Sequence, residues 1–174
     1  RQMCIRDSIY DKDFDMRKLR SKVGLVFQYP EHQLFETDIF KDVCFGPKNL
    51  GLDRAETELR AFEALRLVGL DESLYYQSPF DLSGGQKRRV AIAGVLAMKP
   101  EVLILDEPTA GLDPKERIAI RNYIAELSRN KIILFATHVV SDIECIADYV
   151  LLLKKGEIIA MGTPAVSYTH LTLP

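Results

Sequence analysis

Short apolar runs alternate along this chain with longer segments in which apolar residues recur at helical spacing. The runs of strand length lie at 23–27, 102–105, 132–136, 150–153 and 158–161. Continuous runs of this kind are typical of strands buried on both faces of a sheet. Between the last two, Lys154-Lys155-Gly156-Glu157 predicts a hairpin with glycine in its turn. From Glu101 onward the predicted order is strand, helix, strand, short helix, strand, strand, which favours an α/β domain with a mainly parallel sheet.

Helix starts are predicted where a side chain can accept a hydrogen bond from the first free amides of a helix. The pairs that fit this pattern are Ser83 with Gln86, Asp113 with Glu116, Ser141 with Glu144, and Asp53 with Glu56. Pro114 stands at the first position of the second helix, where a missing amide costs nothing.

The helix after Asp53 is predicted to end at Gly69 and to bury one apolar stripe. The stripe consists of Leu59, Phe62, Leu65 and Val68. Residues from about 39 to 98 are mostly helical in pattern, and we predict that they form a helical insertion in the α/β domain.

The two ends of the chain are predicted to be non-native tails. Codons for Arg1–Ser8 can be chosen so that their reverse complement encodes Val166–Thr172, and that DNA resembles a transposon-end sequencing adapter. Such scars are excluded from fold reasoning, so 1–8 and 166–174 are taken as tails and 9–165 as the native domain. The alternative is a pair of ordinary disordered termini.

Charge and cysteine content narrow the classes of function. Without the tails, 21 basic and 24 acidic residues remain, a net charge of −3 that gives no indication of a nucleic-acid partner. Cys44 and Cys145 belong to no CxxC or Cys/His cluster, which favours free thiols in a reducing compartment over disulfides or a zinc site. No apolar run approaches the roughly 20 residues of a membrane-spanning helix, so we expect a soluble chain that reaches a membrane through a partner.

Two carboxylates follow the apolar run at 102–105. Asp106 and Glu107 are predicted to lie at the carboxyl end of a parallel strand, where such sheets bind ligands. A carboxylate at a phosphate site suits Mg²⁺, and the neighbouring acid suits a general base. The alternative is a strand that ends in an acidic turn.

A second motif stands at the predicted helix start near Ser83. The residues are Leu82, Ser83, Gly84, Gly85 and Gln86. Free amides and the helix dipole make such a start suitable for an anion, and glycines let the backbone approach a phosphate closely. The alternative is an ordinary capped helix start that contains glycine.

Together these motifs resemble those of the ATP-binding cassette (ABC) ATPases. An apolar strand ending in Asp-Glu-Pro-Thr places Asp106 23 residues after Ser83 of the LSGGQ motif. Three further pieces stand in the order typical of that family, namely Gln28, Gly111-Leu112-Asp113 and Thr137-His138. The resemblance covers nearly all of 23–164. It implies an α/β fold of the P-loop NTPase type, with a mainly parallel sheet and a helical subdomain at about 39–98.

The resemblance also implies a role for each matching residue. Asp106 would hold Mg²⁺, Glu107 would activate water, and His138 would contact the γ-phosphate of ATP, although a histidine after a strand is often only structural. Gln28 would sense both the magnesium ion and a transmembrane partner, and Asp113 would cross a dimer interface. The segment Leu82, Ser83, Gly84, Gly85 and Gln86 would cap the γ-phosphate bound by a second ATPase subunit.

No segment of the sequence ends in the Gly-Lys-Ser/Thr of a phosphate-binding loop. Nucleotide-binding folds of this type need that loop to cradle the phosphates. In the ABC ATPases it precedes the Gln28 region, so we expect that the chain begins after it and lacks the N-terminal part of the fold. The chain alone is then expected to hydrolyse no ATP.

Different parts of the chain resemble different ABC transporters. Residues 26–50 and 80–94 are similar to the ATPases of energy-coupling-factor and cobalt importers, which import vitamins or transition metal ions. Residues 113–148 are more similar to multidrug or antibiotic efflux ATPases, because importers usually carry Ser-His where this chain has Thr137-His138. One hypothesis is therefore a chimera joined near 108–114.

The resemblance further implies ATP and Mg²⁺ as cofactors, with the chain peripheral on the cytoplasmic face of a membrane. Its partners would be a second ABC ATPase subunit, in a homo- or heterodimer, and a transmembrane subunit. A DNA-repair ATPase is disfavoured, because the 54 positions from Gln28 to Leu82 leave no room for a long coiled coil. A translation-factor cassette and an inert remnant stay open as alternatives.

Overall fold

The computed structural model describes residues 14–29 and 33–165. The predicted tails at 1–8 and 166–174 lie outside these residues. The helices are α1 Met16–Lys22, α2 Ile39–Asn49, α3 Arg54–Leu67, α4 Gly84–Leu96, α5 Pro114–Leu127 and α6 Val140–Ile146, with short 3₁₀ turns at Glu72–Leu74 and Pro79–Asp81. The strands are β1 Val23–Val26, β2 Val102–Asp106, β3 Ile132–Ala136, β4 Val150–Lys154 and β5 Glu157–Gly162.

The main sheet has the order β1-β2-β3, and both of its strand pairs are parallel. Helices separate these strands along the chain, so the predicted α/β class with a mainly parallel sheet is confirmed. Strands β4 and β5 form a separate antiparallel pair. Their turn contains Lys155 and Gly156 at φ 53° and 84°, which confirms the predicted hairpin.

The prediction that these strands are buried on both faces is wrong for the described residues. Along β1 and β3, alternate side chains are exposed, and Leu25, Ile132 and Leu134 keep 40%, 63% and 49% of their surface accessible. Leu103 and Leu105 of β2 are fully buried, because they point to the face that also packs against α4. An apolar run predicts the strand but does not show which residues cover each of its faces.

Helices α2, α3 and α4 lie within the segment predicted to be a helical insertion and pack on one another. Their shared core contains Ile39, Val43, Leu65 and Val90, all fully buried. Helix α4 contacts the segments that follow β1 and β2, because Arg88 near its start donates to the carbonyls of Gln28 and Glu107.

Helix α3 begins and ends as predicted, but part of its predicted stripe is wrong. The Asp53 side chain accepts a hydrogen bond from the Glu56 amide, and Gly69 has a left-handed φ of 65° after the last turn. Leu59 and Phe62 are 52% and 42% exposed, whereas the small residues Ala61 and Ala64 are buried. Small side chains let α3 approach its neighbours closely, which turns the larger ones toward the rim.

The capping predictions for α4 and α5 are confirmed, with one difference. Ser83 and Gln86 form a complete capping box. Asp113 accepts from the Glu116 amide at 2.9 Å, but the Glu116 carboxylate does not return to Asp113, because it accepts from the Ser83 hydroxyl at 3.0 Å. The two helix starts are thereby joined.

The prediction for Ser141 is wrong. Helix α6 begins after Val139 and has no side-chain cap, and Ser141 lies inside its first turn. The Ser141 hydroxyl accepts instead from Nη2 of Arg121 on α5, at 2.8 Å. The local pattern did not reveal this contact with a neighbouring helix.

A buried polar network joins α5, α6 and the loop after β2. The Asp142 side chain is 1% exposed and Thr109 is fully buried. Asp142 accepts from the Thr109 hydroxyl and from Arg121, whose Nε lies 2.6 Å from Oδ1. A buried carboxylate paired in this way fixes the positions of the elements that hold its partners.

Candidate functional site

The predicted site residues follow the carboxyl ends of the three parallel strands. Asp106 is the last residue of β2, and Gln28 and His138 each follow the end of β1 or β3 by two positions. Pairing of Val26 with Leu105 and of Asp106 with Ala136 aligns these ends at one edge of the sheet. The structure therefore brings Gln28, Asp106, Glu107 and His138 to one edge of the sheet.

Glu107 is held in a fixed orientation at this edge. Its amide donates to the Ala136 carbonyl at 2.8 Å, and its φ of 45° is left-handed, which is uncommon for a residue other than glycine. Its side chain is 16% exposed. Oε1 accepts from the His138 amide at 3.1 Å, and Oε2 accepts from the Thr137 hydroxyl at 3.3 Å.

The His138 ring contacts the same carboxylate, with Nδ1 2.7 Å from Oε1 of Glu107. An ionised carboxylate only accepts hydrogen bonds, so Nδ1 carries the proton. In the neutral ring, Nε2 is then an acceptor, and in the protonated ring it becomes a donor. With its side chain 77% exposed, His138 stands at the open side of the site while Glu107 lies beneath it.

Arg88 of α4 joins this edge from behind. It is buried, at 6% exposure, and its Nη2 donates to the Gln28 carbonyl at 2.7 Å. Its Nη1 donates to the carbonyls of Glu107 and Ala110, both at 3.0 Å. Arg88 therefore connects the segments that follow β1 and β2.

The predicted phosphate-capping motif forms a second group at the start of α4. Leu82 is buried and anchors the motif, whereas Ser83 and Gly84 are exposed. A Cβ on Gly84 would meet nothing within 4 Å, and a Cβ on Gly85 would lie 2.2 Å from the Glu116 carboxyl carbon. A side chain at position 85 would therefore displace the Glu116 carboxylate, while Gly84 leaves the helix start open to an approaching group.

Asp113 caps α5 beside this second group, and a cleft of about 460 Å³ lies between the two helix starts. Among the described residues, the segment 82–86 makes no hydrogen bond to Asp106, Glu107 or His138. The structure therefore places the predicted residues in two groups, one at the sheet edge and one at the starts of α4 and α5.

Residues able to hold a metal ion are few in this site. In the stretches 14–29 and 33–165, no group of three or more His, Cys, Asp or Glu side chains is arranged to bind a metal. Asp106 ends β2 with partial exposure, and Gln28 is partly buried at the same edge. One carboxylate and one amide oxygen fit Mg²⁺, which takes one or two protein ligands and completes its shell with phosphate oxygens and water.

The sequence motifs missed Arg88 and did not reveal the site contacts of Thr137 and Glu116. Arg88 lies in the run Lys87-Arg88-Arg89, which carries no signal of which basic residue points inward. Thr137 was noted only as the neighbour of His138, yet its hydroxyl also accepts from the Val139 amide at 3.0 Å. Glu116 was predicted as a capping partner, and its contact with Ser83 joins residues 33 positions apart that no local pattern reveals.

Over the described stretches, every helix is too short or too polar to cross a lipid bilayer.

Comparison with known proteins gives consistent matches. The "Energy-coupling factor transporter ATP-binding protein EcfA2" of Caldanaerobacter subterraneus subsp. tengcongensis is 52% identical over 158 residues, which cover 90% of this chain and 55% of the relative. The protein of the same name from Bacillus subtilis (strain 168) is 54% identical over 155 residues, or 88% of this chain and 56% of the relative. The chain thus spans little more than half the length of these relatives.

Solved structures show the same similarity. The cbiO1 protein of Clostridium perfringens, described as part of the ABC transporter complex cbiONQ, has a TM-score of 0.81 and 41% identity and covers 89% of this chain and 62% of its own. The ATP-binding cassette MJ0796, solved as a dimer bound to ADP and Pi after hydrolysis, has a TM-score of 0.74 and 29% identity. The match covers 87% of this chain and 68% of MJ0796. The sequence model of the family described as "ABC transporter" matches residues 4–110, more than half of the chain. This chain belongs to the ABC transporter family.

Proposed function

We propose that this chain is part of the ATP-hydrolysing subunit of an importer of the energy-coupling-factor type, which takes up a vitamin or a transition metal ion. The observation that carries the proposal is the Glu107 carboxylate, held by His138 and Thr137 at the edge where Asp106 ends β2. A fixed, largely covered carboxylate beside an open histidine suits a base acting on water at a phosphate. The relatives named EcfA2 and cbiO1 support the transporter class.

Each residue has a role that its position supports. Glu107 accepts the proton of the attacking water, and the doubly protonated ring of His138 donates from Nε2 to the terminal phosphate while Nδ1 donates to Glu107. Asp106 and Gln28 hold Mg²⁺, which supplies positive charge to the phosphate oxygens when it is bound.

The group at the starts of α4 and α5 acts on a second subunit. The segment 82–86 caps the terminal phosphate of the ATP that the second subunit binds. Its residues are Leu82, Ser83, Gly84, Gly85 and Gln86. Asp113 lies at the contact between the two subunits. The open helix start at Gly84 supports this role, because free amides there attract an anion. Separation of the two groups within one chain is consistent with a symmetric pair that joins them across its interface.

A transmembrane subunit is the other proposed partner, and it places the chain on the cytoplasmic face of the membrane. A largely apolar groove of about 660 Å³ runs between α1, α2 and α4, with Phe35, Phe45 and Met98 in its lining. Gln33, also in the groove, accepts from the Phe27 amide at 3.3 Å and so connects it to the segment that carries Gln28. We propose that a helix of the transmembrane subunit docks here.

The proposal of hydrolysis is tested by phosphate release from the longer product of the native gene, which we expect to carry a phosphate-binding loop. Glu107→Gln should reduce release to background, because an amide cannot accept the proton of water. Glu101→Gln is the matched control, since Glu101 lies at the opposite end of β2 in an exposed ion pair with Lys22. Equal activity of the Glu107 variant and the wild type would exclude Glu107 as the base.

We further propose that the 174-residue chain alone hydrolyses no ATP, because it contains no Gly-Lys-Ser/Thr loop. Phosphate release above background that disappears in Glu107→Gln would contradict this. Failure of the longer protein to hydrolyse ATP would instead contradict the proposed function.

Importer and efflux functions are the two candidate transport classes. The Thr137-His138 pair favours an efflux ATPase, but the alignment to EcfA2 of Caldanaerobacter covers 90% of the chain and so runs through 108–114. This continuity supports an importer over a chimera. The genes beside the native gene provide the test, since an importer should be accompanied by an energy-coupling-factor membrane subunit and an efflux pump by a different membrane protein. Continuous single-fragment reads across 108–114 would remove the chimera hypothesis.

A further inference from the structure

Arg88 makes an unusual set of contacts for a buried charged residue. Its guanidinium donates to carbonyl oxygens of residues 60, 19 and 22 positions away, namely Gln28, Glu107 and Ala110. Buried charges are normally stabilised by hydrogen bonds, and the Nη1 and Nη2 groups of Arg88 make three at 2.7 to 3.0 Å. The contacts therefore join α4 to the segments that follow two different strands.

The Glu107 carbonyl is the most informative of these acceptors. Glu107 has a φ of 45°, a left-handed conformation that costs energy for a residue with a side chain. Its amide is fixed by the Ala136 carbonyl and its own carbonyl by Arg88. Holding the peptide groups on both sides keeps the strained backbone in place, and this backbone directs the carboxylate to Thr137 and His138.

Arginine suits this position better than lysine. Its planar guanidinium carries five N–H groups in a rigid fork, so two nitrogens can reach three carbonyls at once. A lysine ammonium is a single point and would lie close to only part of the set.

We propose that Arg88 is the positioning residue that sets the orientation of Glu107 and holds it at a fixed distance from Gln28. The effect of Arg88 on catalysis rests on the proposed function, whereas its effect on the orientation of Glu107 is a property of this chain alone. Loss of Arg88 then frees the Glu107 backbone and, through it, the contact with His138. Because the same guanidinium holds the Gln28 carbonyl, a movement of the Gln28 segment is transmitted to the edge of the sheet that carries Asp106 and Glu107.

The geometric part is tested by amide hydrogen exchange, followed by NMR on the 174-residue chain. In Arg88→Gln we expect the Glu107 and His138 amides to exchange at least about tenfold faster, while amides of α5 keep their rates, as in local opening. Arg89→Gln is the matched control, because the neighbouring Arg89 donates to the Gly69 carbonyl instead. Arg88→Lys should behave like Arg88→Gln. Unchanged rates at Glu107 and His138 in a folded Arg88→Gln chain would overturn the proposal.

A measurement on the wild type keeps the test decisive if the variants fail to fold. The three hydrogen bonds predict slowly exchanging Nη protons on Arg88, with scalar couplings from Nη to the carbonyl carbons of Gln28 and Glu107. Absence of both signals from the folded wild-type chain would overturn the proposal without any variant.

The catalytic part is tested in the longer gene product. Arg88→Gln should lower kcat for ATP hydrolysis about tenfold or more and change KM by less than about twofold, since a displaced base affects the chemical step and not the binding of substrate. Arg54→Gln on α3 is the control for loss of an arginine charge, because Arg54 forms an exposed ion pair with Glu58. A longer wild-type protein without ATPase activity would contradict the proposed function, but it would not affect the conclusion from amide hydrogen exchange. Unchanged kcat in Arg88→Gln beside an active wild type would defeat the positioning role alone.

Discussion

The buried Asp142 network gives the sharpest test of what holds the site together. Asp142→Asn keeps the size of the side chain but removes its charge, so Arg121 loses the carboxylate that pairs with it. The Asp142 and Arg121 side chains are only 1% and 17% exposed, so water replaces little of what is lost. Breaking a buried pair by removing one partner costs about 3–5 kcal/mol.

We expect the lower end of this range, because Arg121 keeps its bond to the Ser141 hydroxyl and retains some access to water. The predicted loss in the free energy of unfolding is about 3 kcal/mol. In a domain of this size that corresponds to a fall in Tm of about 6–12 °C. The Thr109 hydroxyl can still donate to the amide oxygen of the new asparagine, so this bond is not counted in the loss.

Urea unfolding followed by circular dichroism measures the change. Glu144→Gln is the control, since it makes the same acid-to-amide change at an exposed position of the same helix and should leave stability unchanged. A loss in Asp142→Asn as small as in the control would refute the view that the network stabilises the fold. A change in the slope of the free energy against urea concentration would instead indicate altered compactness of the unfolded or folded state, or loss of two-state behaviour.

Three further predictions concern packing, thiol reactivity and pH. Gly24→Ala should destabilise the fold by about 1–3 kcal/mol in urea unfolding, because overpacking strains a core, and its Cβ would lie 2.2 Å from Cγ1 of Val95. Gly94→Ala, in open space within α4, should instead add about 0.5–1 kcal/mol, and a loss there would contradict the reasoning. Burial raises the pKa of Cys44 to about 11, so at pH 8 peptide-resolved alkylation should modify it far more slowly than exposed Cys145, with the contrast disappearing in urea. Burial also raises the pKa of Asp42 in the folded chain above its ordinary value of 3.8, although the amides of Phe35 and Glu36 donate to it. The folded state therefore binds this proton more readily, and the contribution of Asp42 to stability falls as the pH rises from 3.8 through the folded pKa. Asp42→Asn should flatten this part of the stability profile, and an unaltered profile would count against the shift.

Features set by local chemistry were predictable from the sequence. An apolar run followed by two acids located β2 and the edge that carries Asp106 and Glu107, and the cap at Ser83 followed from side chains three residues apart. Long-range competition was not predictable. Arg121 takes the hydroxyl of Ser141, and Arg88 reaches a carbonyl 60 positions away, and neither contact leaves a trace in the local pattern.

Periodicity also failed where small residues decide the packing. The predicted stripe of α3 counted Leu59 and Phe62 as core because they are apolar, but the helices approach one another at Ala61 and Ala64. Phe62 packs instead on the ring of Phe40, with centroids 4.5 Å apart. The family resemblance assigned Glu107 and His138 to the same phosphate, whereas the contact of Thr137 with Glu107 depended on the exact turn between β3 and α6.

The exposed apolar side chains of β3 have a practical consequence for handling the protein. Within the described residues, β1 and β3 form the two borders of the sheet, and Ile132 and Leu134 present an apolar surface along one of them. Such a border can pair with the same segment of another molecule through main-chain hydrogen bonds. Recovery after refolding should therefore decrease as protein concentration increases, and a lysine at position 134 should improve the yield because like charges keep neighbouring molecules apart.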